Sequence, residues 1–194
     1  MNLLQDTTAL ALSMCERYVT EKSIGVDCTC GRGFDTLWLA KKCAKVYSFD
    51  IQKEALSTAA ELLDKEGISR GQYKCDDPVK VEFINDSHGR LAEYVRETPQ
   101  IVIFNLGYLP GGDKNITTVT QETLVALVAS LNMLAVGGLV SVTMYPGHPQ
   151  GREEQEAVLA WAKGLDSSKY HCVYANMLNQ KDIAPQVLWI TKKK

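Results

Sequence analysis

Two glycines and three acidic residues in the first third of the chain have the types and spacing of a nucleoside-binding turn. Gly31 and Gly33 form a Gly-x-Gly turn after a predicted strand, with Asp27 before the turn and Asp35 after it. A glycine turn lets the backbone approach a ligand closely and presents N–H groups at the start of the following helix. Asp50 ends the next predicted strand, 17 positions after Gly33, where an acid accepts hydrogen bonds from ribose hydroxyls. The pattern predicts a ligand that contains a ribose.

The acids around this turn favour a cationic ligand over a dinucleotide. The dinucleotide fingerprint requires a third glycine, and Thr36 occupies that position. Asp27 and Asp35 would also repel a pyrophosphate. S-adenosylmethionine carries an ammonium, a sulfonium and a ribose but no phosphate, so it suits these acids better. Two plainer interpretations stay open: Asp35 as the N-cap of the following helix, and Asp27 as a strand-end acid hydrogen-bonded to the turn.

A second group of polar residues follows a nearly all-apolar strand. Asn105 ends this strand, and a loop rich in Gly, Pro, Asp and Asn follows over 107–118, where open α/β sheets bind ligands. Asn105, Leu106 and Tyr108 resemble the [DN]-P-P-[YF] element of amino-group methyltransferases, with Leu106-Gly107 in place of the prolines. That resemblance implies that the Asn105 side-chain oxygen and the Leu106 carbonyl accept amine N–H groups beside the Tyr108 ring. The plainer interpretation is a surface loop in which Asn105 forms a turn.

These residues lie between segments of alternating strand and helix character. The spacing of apolar residues predicts, in chain order, a helix over 7–22, a strand over 24–28, a helix after the glycine turn, a strand over 46–50, a helix over 53–66, a loop over 69–78, a strand over 79–84, a short helix over 89–97, a strand over 100–105, a helix over 121–135, a strand over 139–145, a helix over 153–164, and strands over 170–178 and 186–191. This alternation favours a mostly parallel sheet flanked by helices in one domain over 1–194. The last two strands, which no helix connects, should be antiparallel.

Composition limits the class of protein and its surroundings. The 194 residues are 45% hydrophobic and 23% charged, which excludes a disordered chain and supports a sizeable core. The net charge of −2 excludes a histone-like polycation, so a nucleic-acid partner would need a local basic patch. Lys41, Lys42 and Lys45 are candidates for that patch, or simply a solvated helix face. Without a membrane-spanning apolar run or a signal-peptide pattern, we expect a cytoplasmic protein.

The cysteine spacing argues against a zinc site. The six cysteines are Cys15, Cys28, Cys30, Cys43, Cys75 and Cys172. None of them forms a Cys-x-x-Cys pair, whereas zinc sites use paired spacings of that kind. We therefore expect no metal, and free, mostly buried thiols in a reducing compartment.

Five strings of residues, at 27–36, 49–52, 86–88, 104–114 and 145–149, together resemble the bacterial family long labelled rRNA methylases. The string Asn-Leu-Gly-Tyr-Leu-Pro-Gly-Gly-Asp-Lys at 105–114 is the most distinctive. Characterised members of that family use S-adenosylmethionine to methylate the aminomethyl group of 5-aminomethyl-2-thiouridine at the tRNA wobble position. The resemblance implies an α/β, Rossmann-like class I methyltransferase fold: a seven-stranded, mostly parallel sheet with one antiparallel strand and helices on both faces. It also implies the tRNA anticodon stem-loop as partner, and a homodimer stays open.

The resemblance assigns residues to each part of the site. The cofactor-binding residues would be Asp27, Cys30, Gly31, Arg32, Gly33, Asp35, Thr36, Asp50, Gln52, Ser87, His88 and Asn105. The catalytic residues would be Asn105, Leu106 and Tyr108, and the substrate-binding residues Tyr108, Gly111, Asp113, Lys114 and His148. Arg32 and Phe34 stand where the family usually has Asn and His. By themselves, His88 would be a surface or capping histidine and His148 a turn residue.

The expected reaction is in-line transfer of a methyl group from the sulfonium to an unprotonated primary amine, with proximity supplying much of the rate. Methylation of rRNA or of a small amine is the alternative among enzymes. A dehydrogenase is disfavoured because the third glycine is missing. A non-catalytic protein that binds S-adenosylmethionine and a partner is the alternative of another class, and it would have no need of the Asn105 loop.

Overall fold

The alternation of strands and helices produces one mixed β-sheet with helices on both faces. The computed structural model describes residues 6–72, 79–107 and 117–194. The helices in these residues are α1 (Thr7–Cys15), α2 (Phe34–Lys42), α3 (Lys53–Lys65), α4 (Leu91–Tyr94), α5 (Thr120–Met133) and α6 (Pro149–Lys163). The strands are β1 (Ile24–Asp27), β2 (Lys45–Phe49), β3 (Arg70–Gln72), β4 (Val81–Ile84), β5 (Ile101–Leu106), β6 (Leu139–Met144), β7 (Tyr170–Ala175) and β8 (Gln186–Lys192). Short 3₁₀ helices follow α1 and precede α4.

The strand order brings the two predicted functional groups together. The sheet runs β3-β4-β2-β1-β5-β6-β8-β7, so β2, β3 and β4 lie on the β1 side of the sheet and β6, β7 and β8 lie on the β5 side. β1 and β5 are parallel neighbours, with Asp27 level with Ile103. Open α/β sheets bind ligands at such a reversal of strand order, outside the carboxyl ends of the strands. The glycine turn after β1 and the asparagine at the end of β5 therefore share one crevice.

The hydrophobic core lies on both faces of the sheet, as predicted. On one face, α4, α5 and α6 pack against strand residues that include Phe49 and Phe104. On the other face, α1, α2 and α3 pack against residues that include Phe83 and Ile101. β5 and β6 carry almost continuous runs of buried residues because helices cover both of their sides.

The C-terminal strands form the predicted antiparallel pair. β8 runs antiparallel to both β6 and β7, so β8 is the one antiparallel strand expected in the sheet. Among the described residues there are eight strands, and the expected number of seven was wrong. The additional strand, β3, pairs in parallel with β4 inside the segment 69–78 that was predicted to be a loop. Its three residues are mostly exposed and join the sheet edge through their backbone. Their side chains therefore show no alternation of apolar and polar residues from which a strand could be predicted.

Two helix boundaries differ from the prediction for local reasons. α1 ends at Cys15 and a 3₁₀ helix follows over Glu16–Tyr18, instead of an α-helix to residue 22. Thr20 N–H donates to Ser23 Oγ at 2.9 Å, and this side-chain bond competes with helix over the last residues of the predicted span. α6 begins at Pro149 instead of residue 153. Proline suits the first helical position, since the N–H it lacks has no helical acceptor there. None of the helices in the described residues is long and apolar enough to cross a membrane.

Gly33 brings the glycine turn close to α3. Its φ of 81° lies in the left-handed region, where a side chain is strained. A Cβ added at Gly33 would lie 2.6 Å from Ala59 Cβ and 2.8 Å from Ala59 Cα. This contact holds α2 and α3 together beneath the turn.

We predict that Gly33→Ala destabilises the fold more than Gly67→Ala does. Both substitutions place alanine at a positive φ, but Gly67 has no atom within 4 Å of its added Cβ. The backbone strain of about 1–2 kcal/mol is common to both, and overpacking against Ala59 adds roughly 1–3 kcal/mol only at Gly33. Urea unfolding of both variants measures the difference. Equal free energies of unfolding would contradict the close packing of the turn.

Candidate functional site

A cleft of about 850 Å³ lies at the carboxyl ends of the parallel strands. Most of the predicted site residues in the described part of the chain line it. These are Cys30, Gly31, Arg32, Asp35, Asp50, Gln52, Ser87, His88, Asn105, Leu106 and His148. Asp27, Gly33 and Thr36 do not line it, and Tyr108, Gly111, Asp113 and Lys114 lie outside the described residues.

Asp50 is held at the cleft wall by the backbone on both of its sides. Gly31 N–H donates to Asp50 Oδ2 at 2.9 Å, and Gln52 N–H donates to Oδ1, also at 2.9 Å. Burial raises the pKa of Asp50, and these backbone hydrogen bonds oppose that rise. Each carboxylate oxygen has a second lone pair, so Asp50 can accept two hydroxyl groups of a ligand.

Asp27 lies beneath the glycine turn and not on the cleft surface. Its side chain is fully buried and accepts hydrogen bonds from Thr36 Oγ1 at 2.5 Å and from Thr29 N–H at 3.1 Å. Ser48 Oγ lies 2.8 Å from Thr36 Oγ1 and donates to it, since the Thr36 proton points to Asp27. The prediction that Asp27 and Thr36 contact the ligand directly is therefore corrected. Both residues lie beneath the cleft lining and support the turn. The interpretation of Asp27 as a strand-end acid bonded to the turn is the one that the geometry supports.

Gly33 also supports the turn without lining the cleft. It is the N-cap of α2, and its hydrogen bonds and packing set the direction of that helix. The N-cap interpretation of Asp35 was therefore wrong. Asp35 lies in the first turn of α2 instead, where the helix dipole favours an acid.

Asp35 and Asn105 connect the glycine turn to the end of β5. Asn105 Nδ2 donates to Asp35 Oδ2, and Asn105 N–H donates to Thr29 Oγ1 at 2.7 Å. Burial raises the pKa of Asp35, and the bond from Asn105 lowers it. Asn105 Oδ1 is buried and accepts no hydrogen bond from the described residues. A buried acceptor of this kind needs a donor, so the arrangement fits a ligand that brings an N–H group.

The three carboxyl groups around the turn fit a cation. Burial, together with the charges of Asp35 and Asp50, raises the pKa of Asp27 to about 7. The hydrogen bonds described above come from neutral N–H and hydroxyl groups, which do not offset the negative charge of the ionised carboxyl groups. An ammonium and a sulfonium in this cleft would offset it. This charge and the two open acceptor positions of Asp50 together fit S-adenosylmethionine. Among the residues that the structure describes, no group of three or more His, Cys, Asp or Glu could hold a metal.

The far wall of the cleft is built on the residues after β4. Ser87 Oγ donates to Glu122 Oε2 at 2.7 Å. His88 Nδ1 donates to the Cys28 carbonyl at 3.0 Å, and its ring meets Phe104 edge-on at 5.7 Å. Burial lowers the pKa of His88, so its ring is neutral. His88 is thus a fixed, apolar wall residue with one polar edge, and not a surface histidine.

The opposite rim comes from the turn after β6. His148 is the N-cap of α6, and its Nδ1 accepts from Gly151 N–H at 3.1 Å. Tyr145 lines the cleft beside it, and burial raises the pKa of its phenol. Sequence reasoning missed Tyr145, although it ends a predicted strand, and this position is a usable signal. It also missed Thr8 and Ile183, which reach the cleft only by the packing of α1 and of the β7–β8 connection.

The proposed basic patch is neutralised by neighbouring acids. Lys41 pairs with Glu66 at 2.7 Å, and Lys42 pairs with Glu16. Lys45 lies between two glutamates, with its closer ion pair at 2.9 Å. The solvated-face interpretation is therefore the better one for these lysines.

The thiols of the described cysteines are free. Cys15, Cys28, Cys30 and Cys43 are buried, as predicted, and Cys172 is exposed. Cys75 lies outside the described residues.

We predict that Asp27→Asn removes a decrease in the free energy of unfolding that wild type shows as the pH rises. The pKa of Asp27 is about 7 in the folded protein and about 3.9 in an unfolded chain. The native state therefore binds more protons between these values, and the Asp27 carboxyl lowers the free energy of unfolding as the pH rises from 4 to 7. The free energy of unfolding of the ligand-free variant, taken relative to that of ligand-free wild type, should rise by on the order of 2 kcal/mol from pH 5 to pH 8.

Urea unfolding at both pH values measures this gain, with Glu61→Gln on the exposed side of α3 as the control. If Asp27→Asn and the control respond equally to pH, Asp27 is not the buried acid that the geometry implies.

Comparisons with known proteins agree with this architecture. A family model described as "Putative rRNA methylase" matches residues 46–191. The "tRNA (mnm(5)s(2)U34)-methyltransferase, chloroplastic" of Arabidopsis thaliana is 37% identical, over 96% of this chain and 69% of that protein.

Two solved structures are similar over nearly the whole of both chains. A "putative rRNA-methylase" from Clostridium thermocellum has a TM-score of 0.88 and 31% identity, over 96% of this chain and 97% of that chain. A "putative methyltransferase" from Streptococcus mutans in complex with SAH has a TM-score of 0.86 and 31% identity, over 96% and 98%. These matches confirm the α/β, Rossmann-like methyltransferase fold. The family match covers most of the chain, and this protein therefore belongs to the rRNA methylase family.

Proposed function

We propose that the protein is an S-adenosylmethionine-dependent N-methyltransferase that converts 5-aminomethyl-(2-thio)uridine to 5-methylaminomethyl-(2-thio)uridine at the wobble position of tRNA. The observation that carries this proposal is the side chain of Asn105 at the cleft. Its amide group donates to Asp35, and its Oδ1 accepts no bond from the described residues. The relative from Arabidopsis thaliana, named for a methylated wobble uridine, supports the choice of substrate.

The cofactor would lie across the tips of β1, β2 and β4. When bound, S-adenosylmethionine supplies the methyl group. Asp50 accepts the ribose hydroxyls, and Gln52 borders the adenosine. Ser87 and His88 form the wall on the adenine side. Asp35 provides negative charge beside the amino acid end, and Asp27 adds to it from below the turn.

The end of β5 would orient the amine. Asn105 Oδ1 and the Leu106 carbonyl are two acceptors, which match the two N–H groups of a neutral primary amine. An ammonium would bring a third N–H group, so this pair of acceptors favours the unprotonated form. With both N–H groups engaged, the nitrogen lone pair points away from the acceptors. Holding the amine in this direction supplies rate through proximity and orientation.

The tRNA contacts would lie at the mouth of the cleft. His148 is placed there at the start of α6, and Tyr108, Gly111, Asp113 and Lys114 are the further residues proposed for the anticodon stem-loop. Tyr108 would stack on the uracil, as aromatic rings do on single-stranded bases. The proposed location is the cytoplasm, where the enzyme would meet tRNA.

The proposal is tested with tRNA from a strain that stops at the aminomethyl stage. The purified protein is incubated with this tRNA and methyl-labelled S-adenosylmethionine, and the nucleosides are analysed by mass spectrometry. We expect the label in 5-methylaminomethyl-2-thiouridine. In parallel incubations with rRNA and with a small primary amine, label in one of these and not in tRNA would replace the tRNA proposal with the corresponding alternative. Calorimetry that detects no binding of S-adenosylmethionine would exclude the methyltransferase itself.

We predict that Asn105→Ala lowers kcat at least about 100-fold, because the amine loses one of its two acceptors. Affinity for S-adenosylmethionine should stay within a few fold, because Asp50, the glycine turn and the wall at Ser87 and His88 remain in place. Single-turnover kinetics and calorimetry separate the two effects. Asn132→Ala, an exposed position of α5, is the matched control and should retain activity. An equal loss of cofactor affinity in Asn105→Ala would contradict the proposed role.

A further inference from the structure

We infer that Glu154 is a positioning residue: through Thr118 it orients the Leu106–Gly107 peptide, whose carbonyl accepts an N–H group of the target amine. This inference rests on the proposed function, because it concerns the same amine. Glu154 does not line the cleft and belongs to α6, whose own sequence pattern gives no functional signal.

Glu154 is a buried acid that binds two hydroxyl groups. Its residue surface is 2% exposed. Thr118 Oγ1 donates to Glu154 Oε2 at 2.5 Å, and Thr123 Oγ1 donates to Oε1 at 2.6 Å. Burial raises the pKa of Glu154, and these two hydrogen bonds oppose the rise. A buried carboxyl group is costly unless it is well bonded, and here both of its oxygens serve to set the direction of a hydroxyl.

The hydroxyl of Thr118, held by Glu154, in turn accepts a hydrogen bond from the backbone at the end of β5. Because its proton points to Glu154, its lone pairs are available to donors. Gly107 N–H donates to Thr118 Oγ1 at 3.0 Å, and Thr118 N–H donates back to the Gly107 carbonyl at 3.0 Å. Glu154, Thr118 and Gly107 thus form one chain of hydrogen bonds from α6 to the residue that follows Leu106.

Because the peptide bond is planar, this chain of hydrogen bonds also fixes the direction of the Leu106 carbonyl. Gly107 N–H and Leu106 C=O belong to one peptide unit, which is planar and trans, since the described chain has no cis bonds. The carbonyl therefore points opposite to the N–H group that Thr118 holds. Gly107 has a φ of 144° and no side chain, so the backbone there depends on such outside contacts for its direction.

Thr123 provides a comparison within the same cluster. It lies in the first turn of α5 and binds the other oxygen of Glu154, while its Oγ1 is 3.5 Å from His88 Nε2. Thr123 has no contact with Gly107 among the described hydrogen bonds. Removing its hydroxyl disturbs the same buried carboxyl group but leaves the path to Leu106 intact.

The test compares Glu154→Ala, Glu154→Gln, Thr118→Val, Thr118→Ser and Thr123→Val in the tRNA methylation assay. We expect Glu154→Ala and Thr118→Val to lower kcat about tenfold or more, with the affinity for S-adenosylmethionine unchanged. Glu154→Gln and Thr118→Ser keep a hydrogen-bonding group at each position and should recover most of the rate. Thr123→Val should keep kcat near that of wild type even where it lowers the unfolding temperature.

A merely structural role would lower the stability of these variants without this pattern in kcat. If Thr118→Val keeps the wild-type kcat, or if Thr123→Val loses as much rate as Thr118→Val, the inference is overturned. Thr118→Val decides the question even if Glu154→Ala does not fold. A wild-type protein that transfers no methyl group to tRNA would overturn the proposed function and this inference together, whereas an active wild type with an unaffected Thr118→Val overturns the inference alone.

Discussion

The hydrogen bond from the Asn105 amide to the Asp35 carboxyl group joins the two halves of the cleft. Asp35 belongs to the first turn of α2, and Asn105 ends β5. The bond favours the ionised form of a carboxyl group whose pKa burial raises. It also orients the amide, because the NH₂ group must face the carboxylate and the oxygen is then left as an acceptor. This one contact thus sets the direction of the acceptor on the amine side and contributes to the charge on the cofactor side.

Burial opposes the negative charge of the three acids at this cleft. Asp27, Asp35 and Asp50 all have raised pKa values because each is largely removed from water. Hydrogen bonds from backbone and hydroxyl groups hold these acids in place but do not neutralise them. Perturbed carboxyl groups that converge on a cleft are typical of functional sites. A cationic cofactor offsets the repulsion among them, so binding and stability are linked at this turn.

The sequence predicted correctly the features that depend on a local pattern or on the conformational limits of one residue type. Apolar runs identified β5 and β6, and the glycine turn with the acid at 50 located the cleft. The predictions failed where contacts between residues far apart in the chain decide the outcome. β3 joins the sheet through its backbone, so its side chains carry no pattern. Asp27 proved to support the turn from below, because its neighbours Thr29 and Thr36 satisfy it. The lysines at 41, 42 and 45 are paired with acids from other elements.

The amino-acid sequence by itself determined the alternating architecture, the position of the glycine turn and the identity of the polar residues at the strand ends. These features follow from local periodicity and from the conformational limits of single residues. Only the tertiary structure decided which of those residues face the cleft, which way the Asn105 amide points, and that Glu154 on α6 reaches Thr118 beside β5. Such properties arise from burial and from hydrogen bonds between elements far apart in the chain, where neither spacing nor residue type records the partner.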